Sequence, residues 1–173
     1  MSGKNVRPPP SPAQVLSRVL GVATIDGRIL VIIAATFALL AAAGREPLAA
    51  IVGCLAAGAG SLELHGVHRL KLGAPDGVKW LVRSQLFLLL LVLAYATIRF
   101  FTFDAELVRS LITPEMETQL ATAGLTVDQA LPFFKLIYQA TYVIVALVSC
   151  IYQGGLARYY RNRRGAIRQA LGG

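Results

Sequence analysis

Four stretches of the chain stay apolar long enough to cross a lipid bilayer, and charged residues gather between them. The first centres on "ILVIIAATFALLAAAG", the second on "LAAIVGCLAAGAG", the third on "LFLLLLVLAYATI" and the fourth on "LIYQATYVIVALVSCIYQGGLA". About 20 residues of helix cover a hydrocarbon core of about 30 Å, so these runs predict spans over residues 28–44, 48–69, 79–101 and 131–157. The pattern therefore predicts an all-α integral membrane protein, a bundle of four transmembrane helices.

Between and around the spans the polar positions predict smaller elements. Residues 1–10, "MSGKNVRPPP", combine charge with a proline run and predict a disordered tail. Ser11, Pro12 and Gln14 have the order of a capping box with proline in the first turn. Val15, Leu16, Val19, Leu20 and Ala23 share one face beyond it, which predicts a short amphipathic helix over 11–27 lying on the membrane surface, the alternative being a helical lead-in with no surface role. Arg28 can then snorkel at the end of the first span. Small residues near Gly44 resemble a signal cleavage site, but a capped helix precedes the run, and the first span is expected to be retained.

In the second span Gly53 and Ala57, and Ala56 and Gly60, stand four apart, the spacing that lets helix backbones approach in lipid. Gly73 is a helix stop and Pro75-Asp76-Gly77 a turn, so spans two and three form an antiparallel hairpin. Trp80 at one end of span three and Tyr95, Phe100, Phe101 and Phe103 at the other resemble interfacial aromatic belts. The loop 102–130 carries a helix start at Thr113-Pro114-Glu115 and a stop at Gly124, which predicts an external loop containing helix.

Composition agrees: 55% of the residues are hydrophobic and 15% charged, well below the charged fraction of about a quarter usual in soluble domains. The net charge of +8 does not point to nucleic acid, because the basic residues sit at the ends of apolar runs. Four spans leave only Arg45, Arg99, Arg109 and Lys135 of the 17 basic residues on one side. The other side holds the amino-terminal segment, the hairpin turn and residues 158–173, a basic tail suited to anionic lipid head groups. Excess Lys and Arg marks the cytoplasmic side, so both termini are expected there, in a multi-pass protein of the cell (inner) membrane. Cys54 and Cys150 lie within apolar runs with no metal-ligand spacing and are expected to pack as small hydrophobes.

The densest candidate chemistry lies in "SLELHGVHRLKLGAPDGVKWLVRSQ". His65 and His68 fall about 60° apart on one helical face, while Glu63 points elsewhere, and neither the HExxH nor the ExxH spacing is present. No metal or cofactor is expected, and the histidines read as interfacial. Glu63 falls inside the inner leaflet, where an ionisable group is a functional hypothesis by default. Arg83 and Gln85 on span three are level with it. A contact from either would lock the hairpin, and proton or ion handling is the competing role. On the fourth span Tyr138, Tyr142, Val145, Ser149, Tyr152, Leu156 and Tyr159 form one stripe, bordered by Gln139 and Gln153, amides that seek partners across helices.

No catalytic constellation emerges, and no enzymatic activity is expected. The leading expectation is a non-catalytic accessory or scaffold subunit acting through helix–helix association, with itself or with another membrane protein. The second is a small oligomeric transporter or channel using Glu63, Gln85 and the Tyr138/Tyr142/Tyr152 stripe. A third is a membrane enzyme or a quinone- or lipid-binding protein.

Overall fold

The computed structural model describes residues 10–172, and the amino-terminal tail expected over 1–10 lies almost wholly outside them. Six helices follow in order: α1 Pro12–Ala43, α2 Pro47–Lys71, α3 Gly77–Phe101, α4 Ala105–Leu111, α5 Pro114–Thr122 and α6 Val127–Ala170. Among the described residues there is no strand. The chain is all-helical, and α1, α2, α3 and α6 are long and apolar enough to cross a membrane.

Local sequence sets the helix ends. Ser11 Oγ accepts from the backbone N–H of Gln14 at 3.3 Å, and the Gln14 side chain accepts from the Ser11 N–H at 3.1 Å, so the capping box is closed. Gly73 takes φ +79 after α2, and Gly124 takes φ +74 after α5, a backbone region glycine enters freely. A second capping box opens α6, where Thr126 and Gln129 exchange hydrogen bonds of 2.9 and 3.3 Å. That box starts the helix ahead of the apolar run, so α6 begins four residues before the expected span. The helix start at Thr113 and the stop at Gly124 are both present, with Thr113 capping α5 and Asp104 capping α4.

Two expectations need correction. The surface helix over 11–27 is not a separate element, because α1 runs unbroken from Pro12 to Ala43. Its buried positions, Val15, Val19, Ala23, Gly27, Ala34 and Ala38, continue one stripe through the expected boundary, so the face meant for the membrane surface packs inside the protein. Val19 and Ala23 are completely buried. The basic segment expected as a tail over 158–173 is helical for most of its length: α6 continues to Ala170, and Tyr160 and Ile167, seven residues apart, face a core.

The chain divides into two compact units, one formed by the residues up to Leu91 with those from Tyr152 onward, the other by Val92–Ile151. The core of the first brings together Val19 and Ala23 of α1, Val67 and Leu70 of α2, Val78 and Leu81 of α3, and Tyr160 and Ile167 of α6. Each fully buried aliphatic side chain contributes roughly 1.5–3 kcal/mol relative to exposure in water. Glycines bring the helices close. A Cβ on Gly53 would stand 2.9 Å from the Ala38 backbone, and one on Gly60 would stand 3.0 Å from the Gly27 carbonyl, so α1 and α2 touch through their backbones. Gly66 and Gly77 do the same for α2 and α3, and the Arg69–Asp76 pair at 2.7 Å clasps their turn.

The second unit is built around aromatic rings. Tyr138 packs edge-on against Tyr142 and Phe103 at 4.9 and 5.5 Å, and Tyr95 meets Tyr142 at 6.2 Å. Gln139 donates to the Phe100 carbonyl at the end of α3, at 3.3 Å. On the loop side Arg109 joins Asp128 at 2.8 Å.

Candidate functional site

Glu63 is completely buried, and the reason is its neighbours on α2. Gly60, one turn before it, lies against α1, and Gly66, one turn after it, lies against α3. The two close contacts press the carboxylate between helices. On α1, Asp26 follows the buried Ala23 by three residues and precedes Gly27, which faces Leu64 and Gly60 of α2. On α3, Gln85 follows the buried Leu81 by four residues and is itself 1% exposed.

These three side chains meet. The Gln85 amide nitrogen donates to Asp26 Oδ2 and to Glu63 Oε2, each at 2.9 Å. Both of its protons are therefore used on carboxylates. From α6 the Tyr152 hydroxyl donates to Asp26 Oδ1 at 2.6 Å, and the Tyr160 hydroxyl donates to Glu63 Oε1 at 2.8 Å. A chain of hydrogen bonds thus runs Tyr152, Asp26, Gln85, Glu63, Tyr160, with all four long helices contributing and every member in the first unit.

Acceptors outnumber donors here. Gln85 Oε1 is buried without a hydrogen-bond partner, and so is Gln153 Oε1, one α6 face along from Tyr160. Among the described residues no lysine, arginine or histidine forms an ion pair with either carboxylate. The charged groups at this level point outward. Arg28 and Arg83 are exposed, and Arg83 lies over the Trp80 ring at 6.0 Å. Of the two partners weighed for Glu63, Gln85 is the one bonded to it and Arg83 is not. Two carboxylates bridged by one amide carry charge only at a high cost away from water, and every partner they have here is neutral.

His65 packs edge-on against Trp80 at 5.2 Å, and His68 is exposed. Among the described residues no three His, Cys, Asp or Glu side chains converge as a metal site would require. Tyr138, Gln139 and Tyr142 belong to the second unit, where Tyr142 and Phe100 border a shallow apolar cavity of about 190 Å³. Of the expected tyrosine stripe only Tyr152 joins the acid pair, and its ring is half exposed. Tyr160 replaces Tyr159, because the buried α6 face there runs through Gln153, Ala157, Tyr160 and Ile167.

Sequence reasoning missed Asp26 and Tyr160. Asp26 fell in the segment assigned to the membrane surface, and Tyr160 in the segment assigned to a basic tail. A continuous stripe from Val15 through Gly27 would have placed the first, and the seven-residue step from Gln153 the second. No family model matches the chain, and neither a curated protein nor a solved structure is significantly similar to it.

Proposed function

We propose that this chain is a proton-handling membrane protein of the small transporter or channel class, with Asp26 and Glu63 as its proton-binding groups. The observation that carries the reading is the pair itself: two carboxylates from different helices on one amide nitrogen, at 2.9 Å each, with neutral partners throughout. A purely structural tie between helices needs no acid, since amides and hydroxyls link membrane helices without the cost of burying charge. Asp26 is half buried and Glu63 fully buried, which suits an acid that receives protons at an accessible site and passes them inward.

In this reading the chain is a multi-pass protein of the cell membrane with both termini cytoplasmic, and the exposed Arg158, Arg161, Arg163 and Arg168 on α6 meet anionic lipid head groups. Purified protein in lipid vesicles, given a pH step and an internal pH-sensitive dye, tests it. Proton entry should exceed that of protein-free vesicles and fall to their rate in Glu63→Gln. Equal rates in wild-type and Glu63→Gln vesicles would overturn the proposal.

A non-catalytic scaffold or accessory subunit is the second reading. It is favoured by the closure of the network, in which each carboxylate oxygen already has a neutral donor from another helix. It expects the native mass, measured in a lipid-like detergent, to include a partner protein or a second copy, and no proton flux.

A further inference from the structure

The amide between the two acids has an unusual balance of groups. A glutamine amide carries two N–H donors at one end and a carbonyl oxygen with two lone pairs at the other. In Gln85 the donors are both spent on carboxylates, while the carbonyl oxygen is buried, 1% of the residue being exposed, and has no partner. The donor end fits two ionised carboxylates. A half-turn about the last side-chain bond exchanges the two ends within the same volume, and the carbonyl end fits two protonated acids, one O–H to each lone pair.

We propose that Asp26, Gln85 and Glu63 form a two-proton site in which Gln85 turns its amide as the acids are protonated. The inference rests on the proton-handling reading and deepens it by naming the ligand and the residue that answers to it. One proton bonds to a Glu63 oxygen and one to an Asp26 oxygen, both delivered from water through the half-buried Asp26. Each proton leaves a hydronium ion of the aqueous phase, whose O–H bond breaks as the carboxyl O–H forms, and the pair passes from two negative charges to none. The unpartnered Gln85 Oε1 then accepts from the acids, and Nε2 turns away from them.

The groups that face the pair from each helix are few. From α6 come the Tyr152 and Tyr160 hydroxyls, which act as donors to the ionised acids. From α3 comes Gln85, with Ser84 beside it occupied by the Leu81 carbonyl at 2.9 Å. Arg28 on α1, His65 on α2 and Arg83 on α3 are exposed, and His65 and Arg83 both lie against Trp80. A metal cation fits less well, because the site offers two carboxylates and Gln85 Nε2, a donor, stands on the pair.

Difference infrared spectroscopy of the full chain in lipid vesicles, with glutamine amide carbonyls carrying an isotopic label, tests the site as pH is lowered. A protonated-carboxyl band should rise, each of Asp26→Asn and Glu63→Gln should remove about half of it, and a glutamine amide band should shift in step. That shift should vanish in Gln85→Met. It should vanish equally in the Asp26→Asn, Glu63→Gln double variant, which leaves Gln85 in place should the methionine variant fail to fold. A carboxyl band that rises while the amide band stays still would overturn the turning amide and leave proton handling intact. No carboxyl band, with carboxylate bands that move with sodium concentration at fixed pH, would overturn the site as a proton site in favour of a cation. Titration without vesicle flux would remove transport and leave the amide inference standing.

Discussion

Tyr160 and Tyr152 make the same bond in different surroundings, and that difference fixes what their loss should do. Removing the Tyr160 hydroxyl leaves Glu63 Oε1 buried without a donor, a loss of about 1–3 kcal/mol for an unsatisfied buried group. Removing the Tyr152 hydroxyl leaves Asp26 Oδ1 near the surface, where another donor can replace it. Tyr160→Phe should therefore lower the unfolding midpoint in detergent clearly more than Tyr152→Phe; equal losses would mean that burial does not govern the network. Asp76 behaves differently, since it lies half-buried in the turn between α2 and α3. The Arg69 guanidinium, bonded to it at 2.7 Å, holds its carboxyl below the usual range. A depressed pKa contributes stability above the unfolded value of about 4 and loses it as pH falls through the lower folded value. Asp76→Asn should then cost little near pH 3 and more near pH 6, read from unfolding midpoints at both. Glu63 and Gln85 were legible as a pair because both stood at the same depth of one hairpin. Asp26 was not, since its 59-residue separation from Gln85 hides the contact from any local pattern.

At the scale of the helix, glycine spacing proved informative only where a glycine meets another backbone. Gly53 and Gly60 do, against Ala38 and against Gly27 and Val31, whereas Gly58 on the same helix has nothing within 4 Å of its missing Cβ. Alanine raises helix propensity by about 1 kcal/mol wherever it fits. At Gly58 that gain should appear undiminished. At Gly53 a Cβ would stand 2.8 Å from Ala38 Cβ and 2.9 Å from its backbone, so α1 and α2 must part, at an overpacking cost of about 1–3 kcal/mol. Gly53→Ala should thus lower the unfolding midpoint while Gly58→Ala holds or raises it, and the reverse order would refute the backbone contact. The four long helices were legible because length and apolarity are properties of each run alone. The union of 11–27 with the first span was not, because a stripe of small and apolar residues reads alike on a membrane surface and inside a bundle.

For the molecule as a whole, the length of α6 changes what its basic end is. Forty-four residues at about 1.5 Å each make roughly 66 Å of helix, twice what a hydrocarbon crossing requires. Charge alone predicts a basic tail for anionic lipid there, and nothing in "RYYRNRRGAIRQ" adds a core-facing role until the faces are separated. Arg158, Arg161, Arg163 and Arg168 are exposed, while Tyr160 and Ile167 are completely buried against α1, α2 and α3. The core packing and the proposed lipid contact therefore lie on different faces of one segment and can be tested separately. Ile167→Ala should lower stability by about 2–5 kcal/mol, the usual cost of a cavity in a packed core, as measured by denaturant unfolding in detergent. Replacing the four exposed arginines with glutamine should leave the unfolding midpoint nearly unchanged and weaken retention of anionic lipid by about 1 kcal/mol per charge, seen as lost lipid adducts in native mass spectra. An Ile167→Ala protein as stable as the wild type would mean that the segment does not pack into the core. It would also remove the packing that carries Tyr160 to Glu63, since the two side chains stand on the same face of one helix.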